Sequence, residues 1–208
     1  MKKFRDDITA FILSGGKSSR MGTNKALLKI GDRQLIQRMI ELIEPLFSDI
    51  VISSNELELY EEFGKKIIRD IYQSRGPLSG IHSALSSVKT EKCFLISCDM
   101  PFISSQIINY LINYESEKEI ILPKSDGRIQ QLCGIYSKKI LPKVDKLLTE
   151  SMRNDTKLKG SIYELLERVE TEIVDVSELS FYQKHLFFNI NTPEDFYYAK
   201  KILESEHK

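Results

Sequence analysis

The chain lacks the features that mark several large functional classes. It has only three cysteines, Cys93, Cys98 and Cys133, an odd count with no CxxC pair. That argues against a disulfide framework or a cysteine zinc site and fits reduced thiols in a cytoplasmic protein. Net charge is also missing, because 30 Lys+Arg balance 30 Asp+Glu. A global basic field is therefore absent, and no nucleic-acid partner is expected. No apolar run approaches the roughly 20 residues of a membrane helix, so no membrane partner is expected either. The segment Ile8 to Leu13 is too short for a signal-peptide core and reads as a buried strand. Internal repeats, low-complexity tracts and Pro/Gly/Ser-rich linkers are absent, so residues 1–208 are expected to form one domain. The three histidines, His82, His185 and His207, form no HExxH, and there is no GxSxG and no GxGxxG.

What is present is an alternation of short apolar runs with amphipathic stretches. Strands are expected at Ile8–Leu13, Asp49–Ile52, Lys66–Arg69, Cys93–Ser97, Glu119–Leu122 and Gln131–Tyr136. Leu35, Met39, Leu42, Ile43 and Leu46 recur at helical spacing. Further helices are expected after Pro77, through Ile107–Ile112 with Ser104 or Ser105 as cap, and from Thr192-Pro193-Glu194-Asp195. Strands that are apolar throughout and alternate with helices imply an α/β fold, its mainly parallel sheet covered on both faces. Ligands in such sheets bind beyond the carboxyl ends of the strands. That rule points to the loops Ser14–Asn24, Ser53–Glu56, Asp70–Gly76 and Asp99–Phe102.

The first of these belongs to the segment Leu13-Ser14-Gly15-Gly16-Lys17-Ser18-Ser19-Arg20-Met21-Gly22-Thr23-Asn24-Lys25. Gly15 and Gly16 let the backbone approach an anion and expose successive N–H groups. Arg20 and Lys25 add fixed positive charge, which a triphosphate with about four negative charges requires. Gly16-Lys17-Ser18 mimics the end of a Walker A motif, but the required first glycine would fall on Phe11, inside the strand. Alone, the Gly-Gly pair would also suit an ordinary turn.

Asp99 ends a buried strand, where a carboxylate can take Mg²⁺, or cap a helix. Asp70 ends another strand and can meet a base, a ribose or a metal-bound water, or serve the turn. Gly76-Pro77-Leu78-Ser79-Gly80 turns tightly into a helix, either as a pocket wall or for packing. Asn189 and Asn191 are read as sitting at a strand end, binding ligand or ordering a turn. Lys157, Lys159 and Lys138-Lys139 form a solvated face or help bind an anionic acceptor.

Taken together, Leu13 to Gly22, Lys25, Gly76 to Ile81, Cys98 to Phe102 and Asn189 to Glu194 resemble the molybdenum cofactor guanylyltransferases in order and spacing. The likeness spans nearly the whole chain. It implies a Rossmann-like three-layer α/β/α sandwich of the nucleotide-diphospho-sugar transferase kind. It also implies GTP contacts from Leu13, Ser14, Gly15, Lys25, Asp70 and, with Mg²⁺, Asp99. The implied reaction moves GMP from GTP to the terminal phosphate of molybdopterin and releases pyrophosphate. A molybdoenzyme or another cofactor-biosynthesis protein would receive the product. Lys25 and Arg20 would hold the triphosphate, and an anionic acceptor needs no strong general base. The double glycine favours the guanylyl branch over the cytidylyl branch, which usually carries Ala-Gly. Two positions depart from the family pattern: Ser14 stands where Ala is common, and Ser53, with Asn55 two residues on, stands where Asn is frequent. The rival readings are a cytidylyl- or sugar-phosphate nucleotidyltransferase and a non-catalytic nucleotide-binding adaptor.

Overall fold

The computed structural model describes residues 5–14, 24–73, 75–154 and 161–205. Strand β1 (Ile8–Leu13) is buried at every residue. Neighbouring side chains of a strand point to opposite faces, and β1 divides accordingly. Ile8, Ala10 and Ile12 enter one core, and Phe11 and Leu13 enter the other. This is why a continuously apolar strand needs helices on both sides.

A short hairpin, β2 (Lys29–Ile30) and β3 (Arg33–Gln34), follows, and then α1 (Leu35–Ile43). Next come β4 (Ile50–Ser53), a 3₁₀ segment at Leu57–Phe63, β5 (Lys66–Ile68) and α2 (Pro77–Ser87). The chain continues through β6 (Lys92–Ser97), α3 (Ser105–Ile112), β7 (Ile120–Ser125), β8 (Arg128–Ile129) and β9 (Cys133–Ser137). It closes with α4 (Leu141–Asn154), α5 (Ile162–Leu166), β10 (Thr171–Asp175) and α6 (Pro193–Ser205).

The main sheet has the order β10-β7-β9-β6-β1-β4-β5, with β8 paired to β7. β5, β4, β1 and β6 are mutually parallel, and β10 is parallel to β7. α1 and α3 cover one face, and α2, α4 and α5 cover the other. The expected three-layer α/β/α sandwich with a mainly parallel sheet is what the chain forms. A third, smaller core joins the hairpin (Ile30), Phe102 and α6 (Ala199, Leu203).

Several local expectations change. The strand foreseen from Gln131 starts at Cys133 and runs antiparallel to both β6 and β7. An apolar run of this length carries no mark of its direction. Residues 188–192 form an irregular turn rather than a strand end. Of the two candidate caps, Ser104 serves α3, its Oγ accepting from the Ile107 amide. No helix among the described residues is long and apolar enough to cross a membrane.

Candidate nucleotide site

Register brings the site residues to one edge. Leu13 lies opposite Ser53 on one side and Ser97 on the other, and Ser53 lies opposite Ile68. The residues that follow this row, Ser14, Ser54, Asp70 and Asp99, therefore emerge together at the carboxyl edge of four parallel strands. The Ser14 amide donates to the Ser53 carbonyl at 2.9 Å, and the Cys98 amide to the Leu13 carbonyl at 3.2 Å. Those groups belong to the sheet. The Ser14 hydroxyl is engaged as well, 2.5 Å from Tyr60 Oη.

Lys25 and Asp99 meet at this edge. Lys25 Nζ lies 3.0 Å from Asp99 Oδ2, and the two side chains are only 21% and 15% exposed. Lys25 Nζ also donates to the Ile190 carbonyl at 2.8 Å and lies 3.5 Å from Asn191 Oδ1. Ser97 Oγ donates to Asp99 Oδ1 at 2.6 Å, which fixes the carboxylate on its own strand. The Ile190 amide donates to the Asp99 carbonyl at 2.9 Å, tying the late segment to the strand end. A carboxylate, a main-chain carbonyl and an amide oxygen thus surround one cation position. Hard oxygens of this kind suit Mg²⁺, which takes one or two protein carboxylates and completes its shell with water and phosphate. Among the described residues no group of three His, Cys, Asp or Glu side chains could form an all-protein metal cage.

The late segment is held by α6. Thr192 Oγ1 accepts from the Asp195 amide at 3.1 Å, and Asp195 Oδ2 accepts from the amides of Asn191 (2.9 Å) and Thr192 (2.8 Å). This reciprocal cap, with Pro193 at the first helical position, is the one expected from the sequence. Burial works against ionisation of Asp195, but the Asn191 and Thr192 amides outweigh it and hold its carboxyl below the ordinary value. Asp195→Ala is expected to cost about 1 kcal/mol of stability at neutral pH. A depressed folded-state pKa makes that contribution complete above the unfolded value of roughly 3.9 and lost as pH falls through the folded one. Denaturant unfolding of both proteins at pH 7 and at about pH 2 checks this, because the gap should close in acid. A gap equal at both pH values would remove Asp195 from the cap.

Asp70 stands over the other end of the row. Asn55 Nδ2 donates to Asp70 Oδ2 at 3.3 Å, and Asn55 Oδ1 accepts from the Asp70 amide at 3.0 Å. Ser53 Oγ lies 3.5 Å from Asp70 Oδ1. Ser53, which departs from the family pattern, and Asn55 two residues on are therefore both turned onto Asp70. Burial raises the Asp70 carboxyl above its ordinary value, opposed by the bonds from Asn55 and Ser53. Gly80 lets α2 pass close by, since a Cβ there would lie 3.3 Å from Leu13 Cδ2 and 3.9 Å from Asp70 Oδ1. Gly76, with φ of 71°, makes the turn into that helix.

Other candidates fall elsewhere. Asn189 Nδ2 donates to the Phe187 carbonyl at 2.9 Å, so it orders its turn, and only Asn191 reaches Lys25. Lys138 donates to the Val88 carbonyl at the opposite, amino end of β6, far from Asp99. His82 lies between α2 and α4 with Nε2 3.3 Å from Asp145 Oδ1, and His185 stacks edge-on with Phe102. Burial raises the Cys98 thiol to about 12. All three cysteines are buried and unpaired. Gly15, Gly16, Arg20, Lys157, Lys159 and His207 lie outside the described residues.

Sequence reasoning missed Asn24 and Tyr60. The Tyr60 hydroxyl lies 2.5 Å from Ser14 Oγ, and Asn24 Nδ2 donates to it at 3.0 Å. A signal was present, because Leu57, Tyr60 and Phe63 recur every third residue, the period of a 3₁₀ turn.

A mainly parallel sheet whose carboxyl edge gathers an ammonium and a strand-end carboxylate defines an α/β protein with a ligand site at that edge. Comparison with known proteins narrows the class. Residues 10–169 match the family described as MobA-like NTP transferase domain. A relative from Clostridium perfringens strain SM101, named probable molybdenum cofactor guanylyltransferase, is 41% identical over 189 residues, covering 90% of this chain and 93% of its own. The crystal structure of molybdopterin-guanine dinucleotide biosynthesis protein A from Archaeoglobus fulgidus superposes with a TM-score of 0.79 at 23% identity, covering 95% of this chain and 100% of that one. The 4-diphosphocytidyl-2C-methyl-D-erythritol synthase from Anaerococcus prevotii superposes at 0.68 with 15% identity, covering 96% of each chain, so the fold is shared with a differently named enzyme. The chain belongs to the MobA-like NTP transferase family and is a nucleotidyltransferase.

Proposed function

We propose that this chain, acting as one domain, transfers GMP from GTP to the terminal phosphate of molybdopterin, forming the guanine dinucleotide cofactor and releasing pyrophosphate. The observation that carries it is the Lys25–Asp99 pair at the carboxyl edge of β1 and β6. Identity of 41% with a relative named for guanylyl transfer supports the choice of nucleotide and acceptor. Displacement at phosphorus asks the protein mainly for alignment and charge neutralisation. Lys25 holds the triphosphate from the end of the Gly-rich loop, and the sequence assigns Gly15, Gly16 and Arg20 to the same phosphate role. Leu13 and Ser14 present the backbone that borders the nucleoside, and Asp70 accepts a hydrogen bond from it. Asp99 would hold Mg²⁺, which would neutralise phosphate charge and polarise the α-phosphorus. The attacking acceptor is already a phosphate anion, so no residue has to remove a proton. The described histidines, engaged with Asp145 and Phe102, fit that economy. Three unpaired buried thiols support a cytoplasmic location, where a molybdoenzyme or cofactor-biosynthesis protein receives the product.

Purified protein offered GTP, CTP and UTP, each with and without molybdopterin, should release pyrophosphate only with GTP and acceptor together. Strict use of CTP would replace the guanylyl reading with the cytidylyl one. GTP binding without any pyrophosphate release would make the chain an adaptor.

A further inference from the structure

The side chain of Tyr60 is wholly buried in the core on the α1 and α3 face, where a phenylalanine would fill the same space. A buried hydroxyl is costly unless it is bonded. This one is bonded to two segments that are distant from the 3₁₀ turn in sequence. Asn24 Nδ2 donates to Tyr60 Oη at 3.0 Å, and Tyr60 Oη and Ser14 Oγ share a 2.5 Å hydrogen bond. The second Asn24 Nδ2 hydrogen goes to Glu56 Oε2 at 2.7 Å. Asn24 Oδ1 accepts from the Ala26 amide at 3.1 Å, capping the 3₁₀ turn Lys25–Leu27. The Asn24 amide thus gives both its hydrogens away, and the phenol hydroxyl shares its hydrogen-bonding with Ser14 Oγ, with Asn24 Oδ1 at 3.2 Å and the Ser14 carbonyl at 3.4 Å also within reach. Burial raises the Tyr60 pKa, so it stays a neutral donor at physiological pH.

We infer that Tyr60 is a positioning residue: its hydroxyl fastens Asn24, and with it Lys25, to Ser14 at the end of β1, and so sets the ammonium over Asp99 before nucleotide arrives. Ser14 then has a purpose where the family commonly has Ala, because an alanine there would supply no side-chain oxygen for the 2.5 Å bond. Without the pin, the turn carrying Lys25 samples more positions, and nucleotide binding bears the cost of fixing it. Once bound, the triphosphate holds Lys25 itself, so the effect should fall on KM rather than kcat. The kinetic half of this inference rests on the triphosphate reading above, and the structural half does not.

The test compares the whole chain with Tyr60→Phe, Ser14→Ala and the double variant. With Mg²⁺, GTP and molybdopterin, Tyr60→Phe is expected to raise KM for GTP about tenfold with kcat held within about twofold. KM for the acceptor should not change. The double variant should match Tyr60→Phe, since both changes cut the same link. Amide exchange supplies a readout independent of turnover. Ala26, Leu27 and Leu28 should exchange about tenfold faster in Tyr60→Phe, while β1 and β6 keep wild-type protection. Unaltered exchange at these amides would overturn the inference whatever nucleotide is used, as would a loss confined to kcat. Faster exchange in a chain that ignores GTP would uphold the pin and overturn the guanylyl reading alone.

Discussion

Asp99→Ala is expected to slow pyrophosphate release from GTP on the order of a hundredfold at saturating Mg²⁺, about 3 kcal/mol of transition-state stabilisation. The residue is held at the strand end by Ser97 and faces a position surrounded by oxygens and occupied by an ammonium. On the proposed reading, losing the carboxylate would remove the charged ligand to the metal, and it breaks the 3.0 Å ion pair with Lys25. Asp99→Asn keeps the shape and can still accept from Ser97, so it separates charge from packing. It should lose activity to a similar extent while melting at a temperature close to wild type. Pyrophosphate release measured across a Mg²⁺ series reads both variants. Near-normal, Mg²⁺-dependent turnover in Asp99→Ala would remove this residue from the metal role.

Lys25→Ala should lower kcat/KM for GTP by a similar factor, on the order of a hundredfold, for a different reason. A point charge that meets the triphosphate and the departing pyrophosphate acts in both ground and transition states, so KM should rise as kcat falls. The pair is partly buried, with side chains 21% and 15% exposed, so screening by water is incomplete. The two substitutions remove partners of one another, and the double variant should fall well short of the product of the two losses. Strict multiplication of the losses would mean that Lys25 and Asp99 act separately. An unchanged rate in Lys25→Ala would take it out of phosphate binding.

The parts of this site that could be read in advance are those written in local chemistry. Ile8–Leu13 is apolar on both faces, so burial between helix layers follows from strand periodicity. Asp99 follows such a strand directly, and Thr192-Pro193-Glu194-Asp195 is a cap whose pattern is its mechanism. The direction of β9 was not legible, because Cys133–Ser137 would be equally apolar in a parallel strand. The hairpin at Gly31-Asp32 could have been read: a two-residue Gly-containing turn, with Gly31 at φ of 66°, joins its strands. The links from Tyr60 to Ser14 and from Asn191 to Lys25 span long stretches of chain, and periodicity contains nothing about them. The fate of Ser53 and Asn55 was equally hidden, since their common partner, Asp70, is set by the pairing of β4 with β5.

The contact of Lys25 with Ile190 and Asn191 has a consequence for the order in which the enzyme comes into being. Its cation comes from the first strand-loop unit and its closing wall from the turn before the last helix, 165 residues later. A chain growing from its amino end can form β1, β4 and β5 early, since these pair among themselves. The Asp99 carbonyl, however, receives its Ile190 partner only when the turn and its α6 cap have been made. A nascent or prematurely ended chain would thus hold much of the fold without a finished reaction centre. The reaction centre is complete only once the turn before α6 has been made and its cap has formed.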